Sequence, residues 1–81
     1  MEEKRVIRLD MRGIKSPKPL FEVKKALKKL KENEVLEVMV TDKKCIDIIP
    51  KFVIAIGYNL LEIEEYKDDS GSYYKIVISL D

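Results

Sequence analysis

The chain has 81 residues, of which 46% are hydrophobic and 38% are charged, and its formal net charge is +1. This length and composition are typical of one small globular domain and exclude a disordered or fibrous protein. No apolar run reaches the roughly 18 residues that a membrane-spanning helix needs, and the first residues lack the apolar core of a secretory signal. We therefore expect a single domain over residues 1–81 that works in the cytoplasm and not in a membrane.

Missing residue types exclude further classes of protein. The chain has no His, and Cys45 is its one cysteine. His-based nucleophile pairs, His metal ligands, intramolecular disulfides and cysteine-rich zinc sites therefore cannot form. The three glycines, at positions 13, 57 and 71, are too far apart for a nucleotide-binding glycine motif. We expect neither a metal nor an organic cofactor. Gln is also absent while Lys, Glu and Ile are abundant, a bias typical of heat-loving organisms.

Positive charge is concentrated in the first part of the chain. Residues 1–33 hold eleven Lys and Arg against five Asp and Glu, whereas residues 34–81 hold five against ten. This separation predicts a bipolar surface that can steer a charged partner. Lysines on the solvent face of a helix would give the same count without binding anything, and that interpretation suffices for most of these residues.

The hydrophobic pattern predicts four strands and two helices. One helix follows the segment 16–19 and runs to about Glu32, and the other covers residues 44–56. The strands are predicted over residues 4–9, 35–40, 60–66 and 73–80. The order β-α-β-α-β-β favours an α/β (α+β) two-layer sandwich, with both helices on one face of a four-stranded mixed sheet.

Local signals refine both helices and the last turn. An apolar stripe marks the inner face of the first helix and leaves Phe21 on the opposite face among lysines. The stripe consists of Leu20, Val23, Leu27 and Leu30, with Ala26 beside them. Pro50 is expected in or near the first turn of the second helix, and Gly57 just after its end. The segment 68–71, Asp-Asp-Ser-Gly, predicts a hairpin between the last two strands.

Residues 16–19, Ser-Pro-Lys-Pro, have the composition of a helix start. Ser is a favoured N-cap, and Pro suits the first turn because its missing N–H has no partner there. Taken alone, these residues predict that Ser16 caps a helix that begins at Pro17 or Pro19.

Taken together, the motifs closely resemble the TusA/SirA-like family of sulfur carriers. They are Leu-Asp-x-x-Gly at 9–13, Ser-Pro-x-Pro at 16–19, Lys-Lys-Ala-Leu at 24–27, Glu-Val-Leu-Glu-Val at 34–38, Thr-Asp at 41–42, Ile-Pro at 49–50, Gly57, and Leu-Glu-Ile-Glu-Glu at 61–65. The resemblance covers almost the whole chain and implies the same two-layer sandwich. It also implies a role for Asp10, Gly13, Pro17 and Pro19 as motif residues.

The family resemblance implies a sulfur relay. Members carry sulfur as a persulfide from a cysteine desulfurase, a rhodanese or a DsrE-like protein to later acceptors. Those acceptors serve tRNA thiolation, molybdenum-cofactor assembly or sulfur metabolism. The family carries its sulfur on the Cys of Cys-Pro-x-Pro, and this chain has Ser16 there. A helix N-terminus lowers the pKa of a thiol, but a hydroxyl stays protonated and forms no persulfide.

Two origins of Ser16 stay open from the sequence. One is an engineered change from Cys, in a chain built as a sulfur carrier and inactive as it stands. The other is a natural paralogue that has kept the fold as a non-catalytic binding or regulatory module. Family-type sulfurtransferase activity is therefore not assigned to this chain from its sequence.

Basic residues around position 16 have two interpretations. As a partner-binding surface for the relay proteins, Arg12, Lys15, Lys18 and Lys25 would attract acidic groups, with exposed Phe21 as an anchor. As ordinary solvated residues, they would bind nothing. Direct binding of nucleic acid is not expected, because net charge is close to zero and no RNA-binding motif is present.

Cys45 also has two interpretations. An isolated cysteine at the start of a helix is usually a small, half-buried packing residue. Parallel pairing of the first two strands would bring their following loops to one edge of the sheet, however. Cys45 would then lie near Ser16 as an alternative thiol.

Overall fold

A computed structural model describes residues 4–80 and shows the predicted order of elements. The strands are β1 (Arg5–Met11), β2 (Glu34–Val40), β3 (Asn59–Asp68) and β4 (Gly71–Ser79). The helices are α1 (Lys18–Lys29) and α2 (Lys43–Ala55). The predicted two-layer sandwich is confirmed, and the sequence-based boundaries differ from the observed ones by a few residues at most ends.

One four-stranded mixed sheet forms the lower layer, in the order β1-β2-β4-β3. β1 and β2 are parallel, whereas β4 runs antiparallel to both β2 and β3. Alternate residues of the two central strands point towards the helices and are fully buried, among them Leu36, Val38, Ile76 and Ile78. β1 and β3 are the two edges of the sheet.

The helices cover one face of the sheet and leave the other open. The stripe of α1 lies in the core as predicted, since Val23, Leu27 and Leu30 are buried. Phe21 is 52% exposed, which confirms its predicted place on the outer face. Within residues 4–80, neither helix has the length and apolar character to cross a bilayer.

Both ends of α2 are fixed by local hydrogen bonds. Asp42 is its N-cap, and the Asp42 carboxylate accepts a hydrogen bond from the Lys44 N–H at 3.0 Å. At the other end Gly57 has a φ of +89°, and the N–H of Tyr58 donates to the carbonyl of Val53 at 3.1 Å. This is a Schellman motif, so the predicted role of Gly57 is confirmed.

Pro50 does not lie in or near the first turn of α2, as the sequence had indicated. The cap at Asp42 starts the helix at Lys43, which places Pro50 inside the helix and buries it. Without an N–H, Pro50 leaves the carbonyl of Ile46 without its usual helical donor. The predicted position of Pro50 was wrong because the cap residue Asp42, and not the proline, determines where α2 begins.

The predicted hairpin joins β3 to β4. Asp68 pairs with Gly71, so Asp69 and Ser70 form a two-residue turn. The Asp68 carboxylate accepts hydrogen bonds from the Ser70 N–H at 2.9 Å and from its hydroxyl at 2.6 Å. Nearer the start of β3, a register shift between Leu60 and Glu62 marks a β-bulge.

Charges of alternating sign cross the open face of the sheet. The Arg8 Nε donates to one carboxylate oxygen of Glu37 at 2.9 Å, and the Lys75 Nζ lies 2.9 Å from the other. Glu64 stands opposite Lys75 on β3. We call these four residues the charge row. The Glu37 side chain is only 11% exposed, and its bonds to Lys75 and Arg8 lower the pKa of its carboxyl from the ordinary value of 4.5.

The ion pairs of Glu37 predict a pH-dependent stability. Because the folded pKa is lowered, the contribution of Glu37 is present above pH 4.5 and is lost as the pH falls through the lowered value. We expect Glu37→Gln to lower the Tm by about 5 °C at pH 7. The difference in Tm between this variant and the parent should then become smaller as the pH is lowered.

Thermal unfolding followed by circular dichroism across this pH range checks the expectation. Glu65→Gln, at an exposed position of β3, is the matched control and should unfold like the parent at every pH. A gap between Glu37→Gln and the parent that is independent of pH would contradict the assigned ion pairs.

Candidate functional site

The loop between β1 and α1 presents position 16 at one edge of the sheet. Since β1 and β2 are parallel, the loops that follow them leave at the same edge, as predicted. The Gly13 N–H donates to the Thr41 hydroxyl at 2.8 Å, and the Ser16 N–H donates to the Asp42 carboxylate at 2.7 Å. The loop is thus tied at two points to the connection between β2 and α2.

Ser16 is not the N-cap of α1, contrary to the sequence-based prediction. The helix begins at Lys18, Pro17 occupies the cap position, and no side chain caps it. The reason is a lack of donors. A serine cap at position 16 would bond the N–H of Lys18 or Pro19, but Pro19 has none. The Lys18 N–H already donates to the carbonyl of Lys15 at 3.3 Å. The Ser16–Pro17 peptide bond is cis.

Cys45 lies beneath position 16. It is 1% exposed, and therefore fully rather than half buried. Burial and the negative charge of Asp42 raise the pKa of the Cys45 thiol, while hydrogen bonding with the Ser16 side chain opposes the shift. The predicted proximity of positions 16 and 45 is therefore observed, and the thiol is held in its neutral, shielded form.

Asp42 joins the two halves of the site. Its two carboxylate oxygens accept from different backbone donors, the N–H of Ser16 and the N–H of Lys44. These two hydrogen bonds, in that order of effect, lower the pKa of the Asp42 carboxyl. One ionised side chain therefore caps α2 and positions residue 16. The same charge disfavours ionisation of a thiol nearby.

The guanidinium of Arg12 is occupied by two carboxylates. It bonds Asp10 through Nε at 2.9 Å and Nη2 at 2.8 Å, and Asp68 through Nη1 at 3.1 Å. It also lies 5.2 Å from the ring centroid of Tyr73. These contacts fasten the end of β1 to the β3–β4 hairpin. Asp10 is a motif residue by family resemblance, and here it positions Arg12.

Lysines that the sequence analysis did not single out line the site. A shallow cleft of about 530 Å³ lies beside position 16. Its lining residues are Gly13, Ile14, Lys15, Thr41, Asp42, Lys43 and Lys44. We call it the basic cleft. Lys43 and Lys44 directly follow the Thr-Asp motif, and the predicted parallel pairing of β1 and β2 was the signal that would have found them.

A second surface runs between the two helices. The Lys24 Nζ lies 5.6 Å from the ring centroid of exposed Phe21 and 5.0 Å from that of Phe52. Phe52 also lines a cleft of about 310 Å³ with Leu27, Lys28, Ile56, Tyr58 and Lys24 itself. We call this surface the helix groove. Of the other predicted partner-binding residues, Lys18 is exposed at the start of α1, and Lys25 is exposed and forms an ion pair with Glu22 at 3.3 Å.

Comparison with known proteins establishes the family. The family Sulfurtransferase TusA matches residues 7–80. This chain belongs to the TusA family. It is 34% identical over 65 residues to the sulfur carrier protein TusA of Pseudomonas entomophila, a match that covers 80% of this chain and 78% of that one. It is 36% identical over 70 residues to a candidate sulfur carrier protein of Archaeoglobus fulgidus, covering 86% and 90% of the two chains.

A solved structure gives the same fold. The crystal structure of a SirA-like protein from Desulfitobacterium hafniense superposes with a TM-score of 0.69 and 25% sequence identity. The match covers 94% of this chain and 99% of that one. The resemblance to the TusA/SirA-like family is thereby confirmed, and so is the predicted fold class.

In this TusA-family chain, Asp42 is the residue on which the placement of position 16 depends. We expect Asp42→Ala to lower the Tm by roughly 5 °C, because it removes both a helix cap and the acceptor for the Ser16 N–H. Asp42→Asn separates the two roles, because its one amide oxygen can still cap α2 at the Lys44 N–H while its NH2 group cannot accept from the Ser16 N–H. We expect this variant to keep most of the Tm and to lose the anchor of the loop.

Thermal unfolding and limited proteolysis of the loop 12–17 check this expectation. Both variants should be cleaved faster in the loop than the parent, although only the Ala variant should lose much of its Tm. Loop protection equal to that of the parent in both variants would contradict the anchoring role of Asp42.

Proposed function

We propose that this chain is a TusA-type carrier scaffold that docks with the proteins of a sulfur relay, and that Ser16 keeps it from carrying sulfur at position 16. The TusA-family assignment supports a sulfur-carrier role. The single observation that carries the finer proposal is the presentation of Ser16. Its N–H is bound by Asp42 at 2.7 Å, at the head of α1 and beside the basic cleft. The scaffold of a carrier site is intact around a residue that lacks a thiol.

The chemistry of sulfur transfer explains why Ser16 is inactive. In active transfer, a thiolate attacks the outer sulfur of the partner's persulfide. A new S–S bond forms, the partner's S–S bond breaks, and the partner leaves as a thiolate, so no outside oxidant is needed. A serine hydroxyl stays protonated at neutral pH and makes no persulfide. Without a thiol at position 16, the chain can dock but does not accept sulfur there.

The basic cleft and the helix groove are the proposed docking surface. The cleft presents Lys15, Lys43 and Lys44, which attract an acidic partner surface. The groove presents Phe21 and Phe52, which supply apolar contact area. A cytoplasmic cysteine desulfurase, rhodanese or DsrE-like protein with an acidic and apolar docking face would fit both. The relay would end in tRNA thiolation, molybdenum-cofactor assembly or sulfur metabolism.

A non-catalytic regulatory module is the second candidate function. Its support is the neutral, shielded state of Cys45, because this leaves no reactive thiol near position 16. Such a module would occupy the docking site of an active carrier and compete with it. A direct role in RNA binding has less support, because stacking of a base needs a free aromatic face. The Tyr73 ring is stacked on Tyr66, with ring centroids 5.8 Å apart, and is covered by Arg12.

Restoring a thiol at position 16 tests the carrier proposal. We expect Ser16→Cys to fold with little change in Tm, since Ser16 caps no helix. The pKa of the new thiol should fall modestly below the ordinary value of about 8.5. The α1 dipole, Lys15 and Lys18 favour the thiolate, while Asp42 opposes it. Incubation with a cysteine desulfurase and cysteine should add one sulfur atom at position 16, as read by mass spectrometry.

Two companion proteins make this experiment decisive. The parent should take up no sulfur, and Ser16→Cys with Cys45→Ala should load at least as well as Ser16→Cys alone. Loading of the parent at Cys45 would show that Cys45 serves as the alternative thiol. A folded Ser16→Cys variant that stays unmodified would contradict the carrier proposal and favour the regulatory module.

Phe21 tests the docking surface. Because Phe21 is half exposed, we expect Phe21→Ala to change the Tm by less than about 2 °C. Its affinity for a cysteine desulfurase should fall about tenfold, the loss expected when an aromatic anchor is truncated. Ile54→Ala, at an exposed apolar position on α2, is the matched control and should bind like the parent. Equal effects of the two changes, measured by calorimetry, would refute the assignment.

A further inference from the structure

The two edges of the sheet carry opposite charge. The charge row begins with Arg8 on β1 and ends with Glu64 on β3, so it has a basic and an acidic end. The Arg8 side chain is 71% exposed although it bonds Glu37. Exposed Arg5 adds a second positive charge on β1, and exposed Glu65 adds a negative one on β3.

Both edges also expose apolar side chains. These residues, each at least 37% exposed, are Val6 and Ile7 on β1 and Leu61 and Ile63 on β3. An edge strand directs half of its backbone N–H and C=O groups away from the sheet, where another strand can bind them. β3 is ten residues long and contains no proline, and the bulge near its start is the one interruption of its pairing with β4. The edge is therefore a template for strand addition.

We propose that the β3 edge docks the β1 edge of a second copy of this chain. β1 and β3 point in the same direction, because β1 is parallel to β2 and both β2 and β3 are antiparallel to β4. A copy placed beside β3 and turned to follow the twist of the sheet would thus add β1 as a parallel strand. Its helices would stay on the same side of the joined sheet.

The faces of the two strands match in this arrangement. Ile7 stands opposite buried Leu36, and Ile63 stands opposite buried Ile76, so both isoleucines lie on the helix side. If Ile7 of the second copy is level with Ile63, its Arg8 lies beside Glu64 on the open face. The charge row then continues across the junction with its alternation of sign unbroken.

Charge repulsion disfavours symmetric dimers, in which the same edge of two copies would pair. A symmetric dimer through β1 would bring Arg5 and Arg8 of both copies together, and one through β3 would do the same with Glu64 and Glu65. Like charges face each other in both, which costs binding free energy. Head-to-tail pairing is favoured, and because it does not close on itself it gives chains of growing length.

Sedimentation of the full chain tests the proposal. The weight-average mass should rise above the monomer mass of 9.5 kDa with increasing concentration and should not level off at a dimer. Association should be stronger at about 0.01 M salt, where the Debye length is about 30 Å, than at 1 M, where it is about 3 Å. A monomer at every concentration, or a mass that stops at a dimer, would overturn the proposal.

Charge reversal identifies the surfaces. Glu64→Lys and Arg8→Glu should each weaken association at least about tenfold. An equal mixture of the two variants should regain it, because the two retained edges pair as in the parent and the two reversed edges also carry opposite charges. Arg5→Glu replaces Arg8→Glu if loss of the bond to Glu37 prevents folding. Asp47→Lys, at an exposed position on α2, makes the same change in net charge as Glu64→Lys and should associate like the parent. Recovery that fails in the mixture, or an equal loss in Asp47→Lys, would refute the edge assignment.

Discussion

The two hydrogen bonds of the Asp42 carboxylate hold the candidate site together. One bond starts α2 and the other fixes the backbone at position 16, so a single side chain couples the geometry of a helix to that of a loop. Parallel pairing of β1 and β2 is what makes this possible, because it brings both loops to one edge of the sheet. The site depends on a contact between residues that are 26 positions apart.

The same carboxylate also sets the electrostatics of the site. Lys15, Lys43 and Lys44 surround the Asp42 carboxylate. Arg12 is close to Lys15 in the sequence, but its charge is neutralised by Asp10 and Asp68. The positive charge beside position 16 therefore comes from lysines in two loops. A partner approaching this edge meets mobile ammonium groups around one fixed anion.

Most of the fold could be predicted from the sequence because its signals are local. The apolar stripe of α1, the Gly57 terminus and the 68–71 turn each depend on neighbours in the chain. The failures at Ser16 and Pro50 have a common cause, since helix starts depend on which backbone donors are free. The carbonyl of Lys15 takes the Lys18 N–H, and Asp42 starts α2 well before Pro50. The contact of Arg12 with Asp68 joins residues 56 positions apart, and no local sequence pattern predicts it.

The burial of Cys45 under position 16 has a consequence for how such a chain evolves. A change of Ser16 to cysteine would set two thiols side by side in one small site. A peroxide would oxidise the pair to a disulfide and be reduced to water, which would remove the carrier thiol in competition with sulfur loading. Selection for an active carrier would thus act on both positions, and would favour replacement of the thiol at 45 in a lineage with a thiol at 16.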